Sequence, residues 1–168
     1  ISEKEFVNAI EFLVNEGIII VSPTNEIKCP DITNAGEVIY SNEKINWSYC
    51  NLSDANLVDM DLSDSILKGT NFSNSHMIYV NLENADLTNA DLNSAILFDS
   101  NLKGANFQGA NLENTIFPGR PIHQDIQISQ TIFTGANLSN SIFTGMDFSN
   151  KNLMDVNFEN SILTDSNF

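Results

Sequence analysis

The chain has 168 residues, 42% of them apolar, so one domain with a buried core is within reach and wholesale disorder is excluded. Twenty-two acidic residues against seven basic give a formal charge of −15. That balance argues against direct binding to nucleic-acid phosphates or to an anionic membrane surface, since both need Lys and Arg. Unbroken apolar runs such as Ile18–Val21 are far too short to span a bilayer, and two cysteines do not make a disulfide framework. The first residue is Ile1 rather than Met, as expected of a processed or trimmed product.

Residues 1–44 read as an N-terminal cap of a helix plus a β-hairpin. Ser2 with Glu5 forms a capping box, Phe6, Ile10, Leu13 and Val14 share one helical face, and Gly17 is a natural stop. Ile18–Val21 is β-branched and predicts a strand. Pro23-Thr24-Asn25-Glu26 predicts a turn, and Ile27-Lys28-Cys29 a returning strand. The competing assignment for this segment is an independent helix that binds a partner.

From Ile45 onward one large apolar residue recurs at every fifth position. One run goes from Trp47 through Leu52, Leu57 and onward to Phe117, and a second from Phe133 to Phe168. Twenty-three positions obey the rule without a polar exception. Two residues before each stands a mostly small one, such as Ala55, Ser65, Ala85 or Ser141, and Asn or Asp usually fills the place between. A period of five fits neither a helix at 3.6 nor a strand at 2.0, and it excludes a heptad. It requires a backbone that turns a corner every five residues. Four corners close a square coil of about 20 residues, and successive coils stack at about 4.8 Å with backbone hydrogen bonds between them. Residues 45–168 then make about six coils, a rod of about 30 Å with two open ends.

Ala85-Asp86-Leu87-Thr88-Asn89, Ala110-Asn111-Leu112-Glu113-Asn114 and Ala136-Asn137-Leu138-Ser139-Asn140 resemble the units of the pentapeptide-repeat family. The resemblance spans 45–168 and implies an all-β solenoid, a right-handed quadrilateral β-helix. The small residue and the central Leu or Phe would point inward and the other three outward. Met146 and Lys151 at the small position depart from the pattern. The last unit, Ser166-Asn167-Phe168, is still in register, so the natural chain continues or this end stacks on another molecule; the dimerisation element that typically ends the family's DNA-mimicking members is missing. Phe6–Ile20 also resembles a short helix-turn-strand segment recurring in archaeal cell-envelope proteins. That likeness makes an extracytoplasmic or cell-envelope location the alternative to an otherwise unassigned compartment.

Between Phe117 and Phe133 the spacing is 16, three pentapeptides plus one residue. With Ile122 and Ile128 as inward residues, the extra residue is a bulge in a continuous tube. The alternative is a larger loop of 118–130, for which Pro118-Gly119-Arg120-Pro121 supplies the breakers.

Stepping by 20 aligns Val58, Ile78, Phe98 and Pro118 outward, with Tyr79, Ile96 and Ile116 on the same face. Apolar groups where Asn and Asp are usual mark a candidate interaction surface. It fits an unknown protein partner or a second copy in a homodimer; cover by the cap or by the 118–130 region is the intramolecular alternative. Ile142 and Ile162, one coil apart, suggest a smaller extension.

Some members of the resembled family imitate duplex DNA and occupy the DNA site of a type II topoisomerase such as gyrase. Duplex DNA carries a charge per about 1.7 Å, so a 30 Å rod would need on the order of 18. The repeat region has 14 acidic and 4 basic residues without regular ladders, and its acidity is expected to serve solubility.

Catalysis, cofactor and metal binding find no candidate residues. His76 and His123 lie on different coils, and no Cys/His cluster has metal spacing. Cys50, at an inward small position, reads as core packing; a Cys29–Cys50 bridge requires the cap to fold over the first coil in an oxidising compartment. The sequons at Asn46, Asn51, Asn71 and Asn137 are by-products of the repeat. The reading is a non-enzymatic scaffold for protein–protein interaction, with a topoisomerase-directed DNA mimic as the alternative.

Overall fold

A computed structural model describes residues 27, 29–32, 38–39, 45–117, 128 and 130–168. From Ile45 the backbone forms a square coil, and each of its four walls is recorded by parallel bridges one coil apart. Wall A carries Asn46, Ile66, Asp86, Asn106 and Ile132 in sequence. Wall B carries Asn51, Asn71, Asp91, Asn111, Asn137 and Asn157. Wall C carries Asn56, His76, Ile96, Ile116, Ile142 and Ile162. Wall D carries Asp61, Asn81 and Asn101, then Asp147 and Asn167.

The corners explain why the period is five. The residue after the large central one leads into a turn in which the N–H of the next small residue donates to the central carbonyl, as from Ala85 to Leu82 and Ala90 to Leu87, both at 3.0 Å. The residue just before the small one has positive φ, the pattern of a type II turn. Seventeen such residues are not glycine, and most are Asn or Asp, which tolerate that conformation best. At Gly69 the absence of a side chain has a second reason: a Cβ there would lie 2.6 Å from the ring of Tyr49, stacked at the same corner one coil earlier.

Asn or Asp before the central residue does two jobs. Its Oδ1 accepts from the N–H two residues on, for example Glu83 to Asn81 at 3.1 Å, an Asx turn that prepares the corner. On walls B and D, an Asn beyond the first coil also donates from its amide to its counterpart one coil earlier. On wall B, Asn71 donates to Asn51 at 3.0 Å and Asn111 to Asp91 at 2.9 Å. On wall D, Asn101 donates to Asn81 at 2.9 Å.

The lumen is filled as the periodicity predicts. Every central residue from Trp47 to Phe117 and from Phe133 to Phe148 is at most 2% exposed. Later coils stack phenylalanines, with Phe117 and Phe143 rings 4.7 Å apart. Small hydroxyl residues add a second lumen rule: Thr70 donates to the Trp47 carbonyl at 2.7 Å and Ser161 to Leu138 at 2.6 Å, each 23 residues back. Ser75, also fully buried, has an Oγ without a partner.

Two expectations need correction, and a third point that the sequence left open is decided. Asn106 bridges Ile132, Asn111 bridges Asn137 and Ile116 bridges Ile142, a step of 26 in place of 20. The tube is therefore interrupted by six residues, not by a one-residue bulge. Only one rung fits between Phe117 and Phe133; Ile128 supplies it, buried and accepting from Thr131 N–H at 3.0 Å. Ile122, the other expected rung, and the rest of 118–127 lie outside the described residues. Second, Ile27 and Cys29 are not in a strand; the hairpin pairs β1, Asp31–Ile32, with β2, Val38–Ile39, antiparallel. The turn breakers before Ile27 predicted a strand too early. Third, Cys50 is an inward residue, fully buried, but it also forms a disulfide with Cys29, their Cα atoms 5.4 Å apart. The expected helix and the Ile18–Val21 strand lie outside the described residues.

Candidate interaction surface

Wall C differs from the others in what it turns outward. A strand displays alternate residues on one side, so each coil offers two columns flanking the buried central residue, about 6.6 Å apart. In the first column stand Asn56, His76, Ile96, Ile116, Ile142 and Ile162. In the second stand Val58, Ile78 and Phe98, then Thr144 and Thr164 in the later coils. Their order follows from the backbone ladder, in which Asp59 N–H donates to Ile78 O and Tyr79 N–H to Phe98 O, both at 2.9 Å. Tyr79, at the adjoining corner, is half exposed and meets Phe98 edge-on with ring centroids 6.3 Å apart.

Six of the seven residues expected at this surface are thus brought together: Val58, Ile78, Tyr79, Ile96, Phe98 and Ile116. Pro118 lies outside the described residues. Ile142 and Ile162, expected as a smaller extension, continue the Ile96–Ile116 column directly. The step of 26 makes this alignment, and the signal for it was in the sequence: isoleucine replaces Asn at the same unit position on both sides of the interruption. Ile132, by contrast, stands on wall A above Asn106.

The electrostatic frame is lopsided. On wall C and its two bounding corners stand Asp54, Asp59, Asp99 and Asp165, and among the described residues no Lys or Arg is there. The cations Lys68 and Lys103 belong to walls A and D, where they pair with Asp86 at 3.1 Å and Glu83 at 2.7 Å. Lys103 holds the Glu83 carboxyl below its ordinary range. At Asp86 burial pushes the value up, but hydrogen bonds from Thr88 and Lys68 outweigh it and leave the group depressed. Hydrogen bonds from Ser63 and Ser149 likewise lower Asp61 and Asp147.

No catalytic constellation assembles among the described residues, and no cluster of His, Cys, Asp and Glu there has the geometry to hold a metal. His76 takes its place in the wall C column, and His123 lies outside the described residues. Among the described residues no helix is long and apolar enough to cross a membrane.

A family model described as a pentapeptide repeat region matches residues 43–117, and one for pentapeptide repeats in eight copies matches 131–168. Similar solved structures include HetL, a pentapeptide repeat protein involved in heterocyst differentiation regulation from Nostoc sp. strain PCC 7120. It is 21% identical over 73% of this chain and 69% of that one, with a TM-score of 0.33. Rfr23 from Cyanothece 51142 is 24% identical over 73% and 90%, with a TM-score of 0.35. QnrB1, a plasmid-mediated fluoroquinolone resistance protein, is 22% identical over 70% and 64%, with a TM-score of 0.30. None of the curated proteins is similar in sequence.

Proposed function

We propose, from the premise that this chain belongs to the pentapeptide-repeat family, that it is a non-enzymatic scaffold binding another protein through wall C. The observation that carries this is the unbroken apolar column Ile96, Ile116, Ile142 and Ile162 on a rod whose walls B and D are laced with asparagine. Isoleucine cannot form an Asx turn or a side-chain ladder, so four of them at one unit position forgo stabilisation that the neighbouring walls retain. The scaffold is a right-handed helix of about six coils with residues 1–44 as its cap. The Cys29–Cys50 bridge supports the cap, because it ties a residue from outside the repeat to the lumen of the first coil. The same bond favours an oxidising, extracytoplasmic compartment.

The DNA-mimic reading has less behind it. The ladders on walls B and D are mainly Asn, not Asp, and two of the described cations lie paired on the rod's surface.

The test is site-specific photocrosslinking. A photoreactive side chain at position 116 should give protein adducts or dimers in the source cell, whereas one at Asn111 on wall B should not. Equal yields at the two positions, or none at 116, would overturn the reading.

A further inference from the structure

The wall C surface is a diagonal stripe, and its pitch and charge define what can lie on it. Val58, Ile78 and Phe98 occupy the second column in the early coils, and Ile96, Ile116, Ile142 and Ile162 the first column in the later ones. The two series overlap at Ile96 and Phe98, so the apolar track crosses the wall from one column to the other. It runs over five coil steps, about 24 Å. Val58 is 38% exposed, Ile116 36% and Ile162 50%, so the track is open at both ends and in the middle.

From these features we infer that wall C receives a basic amphipathic α-helix of a partner protein, laid along the rod; this rests on the protein-binding reading of that wall. The spacing decides for a helix over an extended segment. Apolar residues on one side of an α-helix recur each turn, about 5.4 Å, within about 0.6 Å of the coil repeat. An extended strand presents same-side residues about 6.7 Å apart, missing by about 2 Å at each step. Five coil steps correspond to about 16 helical residues, a common helix length in globular proteins. Charge decides for a basic partner over a second copy. Asp54, Asp59, Asp99 and Asp165 border the track, and no described Lys or Arg offsets them on that wall. Two such walls face to face would bring like charges together, whereas a helix with Lys or Arg beside its apolar stripe meets opposite charge, three of the four carboxylates (Asp59, Asp99 and Asp165) lying along the corner that leads to wall D.

The probe is a labelled 18-residue Leu/Lys peptide with helical periodicity, measured by fluorescence anisotropy against the full chain. A peptide of the same composition with strict alternation is the control. The helical peptide should bind at least tenfold more tightly than the control, and its affinity should fall with added salt. Ile116→Asn with Ile162→Asn places the usual repeat residue at both positions, so the fold is kept; this pair should weaken binding at least tenfold. Asp59→Asn with Asp99→Asn, which tolerates the positive φ, should weaken it about threefold or more, while Asp91→Asn on wall B should change nothing. Equal binding of both peptides, or indifference to the wall C variants, overturns the inference. So does binding that emerges only when residues 119–124 are deleted, which would assign the wall to the chain's own segment. A dimer in light scattering that Phe98→Asp dissociates would also overturn it. If the peptide fails while crosslinks from position 116 persist, the helix is wrong and the interaction wall stands; if both fail, the wall itself is wrong.

Discussion

Walls B and C share a unit length, a corner geometry and the same kind of Leu and Phe rungs, yet they meet solvent in opposite ways. On wall B an Asn or Asp stands before every central residue, closing its own corner and, at most steps, bonding to the coil before. On wall C that chemistry stops at His76, and isoleucine follows in four successive coils. The contrast separates what folding needs from what it leaves free. The lumen and the positive-φ corner are obligatory on every wall. The Asx position is not, because backbone bonds between coils continue through Ile96, Ile116 and Ile142 without interruption. A position released from folding is where function can be written.

The largest effect should come from what the two walls share. Phe117→Ala empties a lumen site whose ring stacks on Phe143, and should cost about 3–5 kcal/mol in chemical denaturation. A cost below about 1 kcal/mol would mean the rung is not packed as described.

The contrast itself is tested by exchanging the outward residues. Asn111 accepts from Glu113 N–H at 3.2 Å and from the Asn137 amide at 3.3 Å, and donates to Asp91. Asn111→Leu should cost about 1–2 kcal/mol. The reverse change on wall C, Ile116→Asn, should stay within about 0.5 kcal/mol of the parent, since it supplies an acceptor for the corner. Equal costs would erase the distinction between the walls.

The seam between them gives a smaller effect of opposite sign. Ser75 sits where wall B turns into wall C, with a buried hydroxyl that has no partner, whereas Ser100, where wall C turns into wall D one coil later, donates to the Met77 carbonyl at 2.5 Å. Ser75→Ala should raise stability by about 1 kcal/mol and Ser100→Ala should lower it by about as much. Thermal melts of the two variants check the pair.

The smallest effect lies on wall A, opposite wall C. Asp86 is depressed in the folded protein, so its stabilisation is complete above the ordinary carboxyl value of 3.8 and is lost as pH falls through the lower folded value. Asp86→Asn should therefore cost about 0.5 kcal/mol at pH 7, and the gap between variant and parent should close below that range. A gap independent of pH would show that the hydrogen bonds from Thr88 and Lys68 do not outweigh the burial of the Asp86 carboxyl.

The tube was legible in the sequence because inward positions admit few exceptions: a polar group in that lumen needs a partner, so the five-residue pattern survives from Trp47 to Phe168. The outward list was legible for the same reason in reverse, since Ile96 and Ile116 break an Asn habit. The region 118–130 was not, because Ile122 and Ile128 fit either a one-residue bulge or a larger loop and no local preference chooses between them; the choice is made by bridges such as Asn106 to Ile132. The disulfide was legible only as a conditional pairing of Cys29 with Cys50. A buried Cys50 packs like any small apolar residue, and only the location of Cys29 in space turns it into a crosslink.

The 26-residue coil carries one more lesson, about angular memory. In a four-sided spiral, gaining or losing a single five-residue unit rotates everything downstream by a quarter turn. The six extra residues are absorbed between Phe117 and Ile128, so Ile142 still arrives above Ile116. Had one unit been added instead, Ile142 and Ile162 would face a different compass point and the track would break in two. Length changes in such a molecule are therefore never neutral: each either hangs off a vertex or re-aims half the rod.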